Sequence, residues 1–563
     1  MSKQVMSKKL ILSMAACLLA GCSPALAANA VNPNVNAGTI LRDSQQVERK
    51  LPDRQQPEVK VEQVVKPPMA KDAGFKTIVT GYRITGQDLV SESELLSLLT
   101  DDINKELNMN GLQQAADKIA GYFRGKGYFL AQAYLPVQEI NEGKVEIAVV
   151  IGRSGEIIIK NQTRVPNEVI MRQLKGIKQG DYISISNMER AVLLASDLPG
   201  VSAQTTLIPG KQPGTTDIVL EAKIRGNEWS GSISTNNWGS RLTGYNQGIA
   251  SLNFNNPFQL GDSLTSSFTN SGEGLDNGSI AYHMPINEGS TLNLSYSKVY
   301  YSLGQDMSYL NANGTAYTNH IDWSYALRRS RNSNYSLQLG YDQKRMEDKI
   351  DYNSSVTQKR SHLVSIGLIG DSNDTFSGGG NNSYSLSHYR GNISGQTNSS
   401  TTLGNGSFNK TTYSLMRQQV LSEKLSLFLS LSGQLANTNL DSAEKFSLGG
   451  ANGVRAYPAG EASGDEARLG TIELRYNMPT SNNSLWQASA FYDAGTSFVD
   501  KNPTQTLSPN RRSLSGAGIG LSYIVPGKYL IKANYAWRTC GDLPQADTTF
   551  GNGRLWLQGV KYF

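Results

Sequence analysis

In Leu425-Ser426-Leu427-Phe428-Leu429-Ser430-Leu431-Ser432, leucine returns at every second position and small polar residues fill most of the others. Successive side chains of a strand point to opposite faces, so this run reads as a strand with one apolar and one polar face. The same period recurs at Leu292, Leu294 and Tyr296, and at Leu337, Leu339 and Tyr341. Between such segments lie Gly- and Asn-rich stretches (SGGGNNSYS at 377–385, GQTNSSTTLGNG at 395–406), with tighter turns read at Asn256-Pro257, Met284-Pro285, Met478-Pro479 and Val525-Pro526-Gly527. Alternation with long loops on one side and short turns on the other is the pattern of a membrane-spanning β-barrel, whose closure leaves no strand edge unpaired in hydrocarbon. The pattern starts after Gly226. At roughly twenty residues per strand and connection, residues 227–563 give about sixteen antiparallel strands. The chain ends RLWLQGVKYF, and its aromatic last residue, Phe563, suits a barrel delivered to the barrel-assembly machinery, although Gly559 and Lys561 interrupt the apolar face it shares with Leu555 and Leu557. A large soluble β-solenoid or sandwich is the competing architecture.

Composition narrows the class. At 38% hydrophobic and 18% charged residues, the 563-residue chain is too polar for a bundle of membrane helices. A net charge of +6, without a long basic run, gives no reason to expect nucleic acid as a partner. The longest apolar run, Leu10 to Ala20 behind Lys8 and Lys9, is too short to span a bilayer and reads as part of a signal peptide over 1–27. Ala25-Leu26-Ala27 suits ordinary cleavage, whereas Leu19-Ala20-Gly21-Cys22 resembles a lipoprotein box in which Cys22 would be lipidated. Three cysteines are too few for a disulfide framework, and His283, His320, His362 and His388 lack metal-ligand spacing, so neither metal nor cofactor is expected.

Two modules precede the barrel. The segment 28–49 contains AGTILRDSQQVERK, a polar helix without an evident packing stripe, and 50–73 carries Pro52, Pro57, Pro67 and Pro68 among charges, an extended mobile linker. In residues 74–153, Thr77–Ile84 is strand-like and Ser91-x-x-Glu94 spells a capping box. Leu112, Ala115, Ala116, Ile119 and Phe123 form one apolar helix face, and strands follow at Leu130–Val137 and Lys144–Ile151. Residues 154–226 repeat the order: Ile157-Ile158-Ile159, a helix over Asn167–Leu174 stopped by Gly176 as a left-handed cap, a second capping box Ser186-x-x-Glu189, and a closing strand through Ile218, Leu220, Ala222 and Ile224.

Two motifs give this arrangement a meaning. Gly453-Val454-Arg455-Ala456-Tyr457-Pro458 lies in a Gly-rich loop, and Phe491-Tyr492-Asp493-Ala494-Gly495 lies in an alternating strand. Behind two α+β modules, this pairing resembles the outer-membrane transporters of two-partner secretion systems, from Gly38 to Phe563. The resemblance implies that the modules are polypeptide-transport-associated (POTRA) domains in the periplasm and that the early helix is a plug. It also implies a loop tip folded into the lumen, where Arg455 meets Asp493 of the Phe-x-Asp-x-Gly strand formed by Phe491, Asp493 and Gly495. Ala456 stands where the family has glycine, which restricts that backbone position. The implied partner is a secreted exoprotein with an N-terminal secretion domain, carried through a monomeric barrel seated in outer-membrane lipid. An insertase of the same superfamily, or a passive porin, are the alternatives.

No enzyme is expected. Gly261-Asp262-Ser263-Leu264 spells a hydrolase nucleophile signature, but no histidine follows an aspartate at the offset that chemistry needs. Gly516-Ala517-Gly518-Ile519-Gly520 imitates a nucleotide loop and reads as strand.

Overall fold

A computed structural model describes residues 35–45, 59–61, 75–212, 214–397, 406–480, 483–503, 509–549 and 551–563. The expected signal peptide with Cys22, and most of the linker, lie outside the described residues.

The first described elements are α1 (Ala37–Ser44) and β1 (Val59–Val61). The first module follows with β2 (Lys76–Ile78), β3 (Gly81–Thr85), α2 (Glu92–Leu96), a 3-10 turn, β4 (Glu106–Asn108), α3 (Met109–Gly125), β5 (Gln132–Tyr134) and β6 (Lys144–Val150). Its core is the α3 face read from the sequence: Leu112, Ala115, Ala116, Ile119 and Phe123 are buried against Val145, Ile147 and Val149 of β6. A carboxylate at the fully buried Ile119 has no partner there. Ile119→Asp is therefore expected to unfold this module, at a cost of roughly 3 kcal/mol or more, while the barrel still resists protease in a limited-proteolysis assay.

The second module is β7 (Arg153–Asn161), α4 (Asn167–Gln173), α5 (Ile185–Ser196), β8 (Val201–Pro209) and β9 (Thr215–Ile224), the order expected. Its core joins Ile170, Leu174, Met188, Val192 and Ala195 to Ile218 and Leu220. At the junction of the modules the Tyr182 hydroxyl donates to Asp88, and the Arg153 guanidinium lies 3.9 Å from the Tyr182 ring centre. Desolvation and the Asp88 carboxylate hold that phenol above its usual pKa.

Several local expectations need correction. Ser91 does stand at the start of α2, but its hydroxyl faces Ser93 and makes no cap, and Tyr122 and Lys126 take the Glu94 carboxylate that would complete the box. In the second module the cap is Ser184, which accepts from the Asn187 N–H, so the helix begins before the proposed box. Thr77–Ile84 divides into two strands in different sheets, and only Gln132–Tyr134 of the expected 130–137 strand pairs. Gly176 has no positive φ; a Cβ there would lie 2.8 Å from a Glu288 carboxylate oxygen, so its smallness serves the contact with the barrel. The stretch 377–385 is a turn only as far as Gly379, since strand starts at Gly380, and Met284-Pro285 lies inside a strand.

The barrel is closed and has sixteen strands, from β10 (Trp229–Asn236) to β25 (Gly553–Tyr562), each antiparallel to its neighbours. Ile366, Leu386, Ile519, Ile531, Leu555 and Leu557 point outward and remain exposed, as a lipid-facing band requires. At the seam, Phe563 and Gly231 exchange both backbone hydrogen bonds, at 3.0 and 2.9 Å. A Cβ on Gly231 would meet the Phe563 ring at 2.6 Å, so this glycine is the seat of the terminal aromatic.

The second module touches the turns on one rim. Arg329 grips Asp197 through two hydrogen bonds of 2.7 Å, Arg190 donates to the Ala326 carbonyl at 2.8 Å and to Glu288 at 3.2 Å, and Gln173 accepts from the Gly289 N–H. The long connections, including 437–465 between β20 (Leu425–Ala436) and β21 (Glu466–Pro479), leave the opposite rim.

Candidate functional site in the barrel lumen

Residues 437–465 turn back into the barrel instead of extending from it. Phe446 bridges Gly464, the Leu448 N–H donates to the Glu461 carbonyl and the Gly450 N–H to the Tyr457 carbonyl, so the loop is a narrow hairpin with its tip at 450–457. Glycine is needed at Gly453, where a Cβ would lie 2.1 Å from the Leu448 carbonyl oxygen. Ala456, by contrast, takes no positive φ, and its methyl rests where a Cβ on Gly516 would come within 2.4 Å. Gly516 of β23 (Arg511–Val525) leaves room for that methyl, and the GAGIG run is strand as read.

The tip brings Arg455 and Asp493 together. The Arg455 Nε donates to Asp493 Oδ2 at 2.8 Å and Nη2 to Oδ1 at 3.0 Å, a two-point fork, while Nη1 donates to Glu473 Oε2 at 2.7 Å. Asp493 is fully buried; it also accepts from the Thr471 hydroxyl at 2.8 Å and from the Arg455 backbone N–H at 3.2 Å. The Phe491 ring centre lies 3.2 Å from the guanidinium carbon. Arg475 donates to the other oxygen of Glu473 at 2.8 Å, so two cations face two carboxylates. Register explains the placement, because Thr471 and Glu473 of β21 lie opposite Asp493 and Phe491 of β22 (Leu485–Phe498). Trp556 and Tyr457 complete the seat: the indole N–H donates to the Arg455 carbonyl at 2.6 Å, and the Tyr457 hydroxyl to the Asp542 carbonyl at 2.9 Å. Gly495 gives room to Leu448, whose side chain a Cβ would meet at 2.8 Å.

More of the loop is held than the two motifs announce. The Lys344 and Lys410 ammonium groups reach the Glu444 carboxylate at 2.7 and 2.8 Å, Lys359 reaches Asp441 at 2.6 Å, and Arg512 reaches Glu461 at 2.8 Å. Sequence reading missed these partners and Glu473. The available signal was the ionisable residue on an inward strand position, which is costly unless it has work to do.

The early helix lies in the same lumen, and here the expectation of an unpacked polar helix is corrected. Ala37, Gly38, Ile40 and Leu41 are buried, the last against a cluster with Leu242, Tyr301, Leu303 and Leu440. The helix N-terminus meets a carboxylate, where the aligned peptide dipoles favour one: the Ala37 N–H donates to Asp348 at 2.6 Å, and so does the Tyr301 hydroxyl. Ser442 of the loop donates to Asn36 at 2.7 Å, and Gly38 packs so closely that a Cβ would meet Ser442 Oγ at 2.6 Å. Plug and loop are therefore in direct contact.

The GDSL tetrapeptide has a structural task. Asp262 is buried and accepts from the backbone N–H groups of Phe258 and Leu260 in the turn that enters β12 (Ser263–Asn270).

A closed sixteen-stranded barrel with an inward-folded loop, a lumenal helix and two modules at its periplasmic rim defines an outer-membrane transporter of the POTRA-bearing class. The chain belongs to the haemolysin secretion/activation protein ShlB/FhaC/HecB family, whose profile matches residues 214–523, and the profile of the ShlB-type POTRA domain matches 77–152. It is 27% identical over 489 residues to the heme/hemopexin transporter protein HuxB of Haemophilus influenzae, covering 85% of each chain. It is 23% identical over 517 residues to the outer membrane transporter CdiB of Dickeya dadantii, covering 87% of this chain and 88% of that one. The solved structure of CdiB from Escherichia coli has the same fold, with a TM-score of 0.72, 19% identity, and coverage of 89% of this chain and 93% of the other. The protein is thus an outer-membrane transporter of the two-partner secretion type, with its modules in the periplasm.

Proposed function

We propose that the protein exports one large partner exoprotein of the haemolysin, adhesin or contact-dependent inhibition toxin type, and that it performs no catalysis. The name of the Haemophilus relative adds a haem- or hemopexin-associated partner to that range. The modules capture the unfolded secretion domain at their sheet edges, the plug leaves, and the chain passes outward while Arg455 keeps the loop on the wall. Folding of the cargo outside supplies the drive. The observation that carries this reading is the two-point grip of Arg455 on Asp493 inside a closed wall, a contact that a passive pore has no use for. A barrel without free edges needs no second copy, so it works as a monomer. Phe563, seated on Gly231 at the seam, serves as the assembly signal, and Cys22 is a lipidation site if the lipoprotein box is the one cleaved.

The test is secretion. In a host expressing the protein together with the large secreted protein encoded beside it, the partner is expected in the medium. Deleting residues 75–152 should retain it in the periplasm; undiminished export after that deletion would refute module-based capture. Residues 75–226 carry two complete cores and are expected to fold alone and to bind the partner's N-terminal domain at about micromolar affinity, read by calorimetry.

A further inference from the structure

Strands β16 (Ser333–Ile350), β17 (Ser355–Asp374) and β18 (Gly380–Thr397) have 18, 20 and 18 residues, more than a bilayer needs. About 9–11 residues of a tilted strand cross it. On their outward side, the apolar run that starts near the periplasmic turns ends at Tyr341 on β16, Val364 on β17 and Leu386 on β18, all exposed to lipid. The next outward residue is polar, Gln343, His362 or His388, and the one after it is an exposed arginine: Arg345, Arg360 or Arg390. Each arginine thus stands four residues past the end of the apolar run, about 10 Å higher at the usual strand rise and tilt. From Asn334, Asp374 and Gly380, which pair across the periplasmic turns, they lie 11, 14 and 10 residues along their strands. They form a girdle where the hydrocarbon of the outer leaflet gives way to head groups.

The girdle carries charge that the chain does not answer. Arg345 and Arg360 are register partners, so two like charges sit directly opposite on one face, which is destabilising unless something neutralises them. On the other side Arg345 pairs with Tyr317 of β15 (Ala312–Arg329), and the Lys298 ammonium of β14 (Ser290–Ser302) lies 5.4 Å from the centre of that ring. The carboxylate one outward position above Arg345 is Glu347, and it is taken by Lys349 at 2.9 Å and by the Gln358 amide at 2.7 Å.

The inner face of the same stretch gives the contrast. Lys344 and Lys359, the sequence neighbours of Arg345 and Arg360, point into the lumen and find Glu444 and Asp441 of the loop there. Two adjacent strands thus carry four cations, and the chain itself neutralises the inner two. Neutralising the outer two falls to the membrane.

We propose that the outward face of β16, β17 and β18 binds a doubly phosphorylated glycolipid of the outer leaflet, of the lipid A kind. Arginine forks match phosphate oxygens two at a time, so Arg345 and Arg360 hold one phosphate between them and Arg390 holds the second. Arg390 lies four residues below Ser394, the register partner of Arg360, which separates the two positions by roughly 14 Å at the usual strand rise and spacing. A phospholipid has one phosphate and meets one position; a disaccharide with a phosphate at each end meets both. The acyl chains then lie over Val364, Ile366 and Leu386, which are exposed on the same face. This site rests on the barrel's seat in the outer membrane and not on the cargo. It braces from outside the wall that grips the loop from inside.

The test adds bisphosphorylated lipid A to the full-length protein in detergent and reads the bound fraction by native mass spectrometry. A variant with Arg345→Gln, Arg360→Gln and Arg390→Gln is expected to bind about tenfold more weakly, and the corresponding triple lysine variant to fall between it and the unsubstituted protein. Arg511→Gln changes an exposed arginine on another part of the wall and should leave binding as it was. Monophosphorylated lipid A and phosphatidylglycerol should each bind about tenfold more weakly than the bisphosphorylated lipid, and millimolar inorganic phosphate should not displace it. Heat-modifiable mobility reports barrel closure in each variant; if the triple glutamine variant does not close, Arg360→Gln alone decides, with an expected loss of about threefold. Undiminished binding by the glutamine variant, or an equal loss in Arg511→Gln, overturns the proposal. So does phosphatidylglycerol that binds as tightly as the bisphosphorylated lipid, or displacement by inorganic phosphate, which marks a site for the bare anion.

Discussion

Arg455→Ala is expected to reduce secretion of the partner by roughly tenfold or more while the barrel reaches the membrane at its normal level. The substitution removes the fork on Asp493 and the bond to Glu473, and it leaves buried Asp493 with no cation and Glu473 with Arg475 alone. Losing one partner of a buried ion pair costs about 3–5 kcal/mol, because the remaining charge stays desolvated. That energy falls on the loop tip, not on the wall, whose sixteen strands pair without reference to Arg455. Asp493→Ala should match it, since Arg455 then retains only Glu473. Arg455→Lys separates charge from geometry: a single ammonium cannot make the fork and the Glu473 bond together, so secretion should fall between that of the unsubstituted protein and that of the alanine variants. The measurements are partner protein in the medium against heat-modifiable barrel in the membrane. Normal secretion by both alanine variants at equal abundance would remove the site.

Legibility from sequence differed by element, for physical reasons. The barrel was readable because lipid on one side and water on the other impose period two on every strand, and its strand number followed from length. The α3 face was readable because its apolar residues recur at helical spacing. The packing of the plug was not, because it comes from residues such as Tyr301, Leu303 and Leu440, far away in sequence, so a helix that looks polar alone is packed in place. Short strands failed similarly: whether Thr77–Ile84 is one strand or two depends on which sheet each end meets. In the site, Arg455 and Asp493 could be paired only through the resemblance. Glu473 joins them because of a register between β21 and β22 that no local pattern encodes. The departure at Ala456 was visible, but its close contact with Gly516 was not, since that contact links a loop to a separate strand.

Deleting residues 37–44 is expected to increase single-channel conductance in planar bilayers severalfold, on the order of the area that a helix about 10 Å across withdraws from a sixteen-stranded lumen. The helix is held at its first residue by Asp348, along one side by Ile40 and Leu41, and at the loop by Ser442. Asp348 offers the helix only its side chain while its backbone pairs within the wall, and Ser442 lies in the loop, so the wall should close without the helix. A finer version leaves the helix present but unseated. Gly38→Val places a Cβ 2.6 Å from Ser442 Oγ and 2.9 Å from the Ala443 backbone nitrogen, and backbone cannot yield as a side-chain end can. That variant should switch between closed and open levels, where the deletion stays open. Secretion should survive both, since a departing plug is what the route requires, and the Arg455 seat lies on other residues. If conductance is unchanged by the deletion, the loop 437–465 alone blocks the pore and the helix has a different task. If secretion fails with the barrel assembled, the helix is needed for more than closure, and its contact with Ser442 becomes the first place to look.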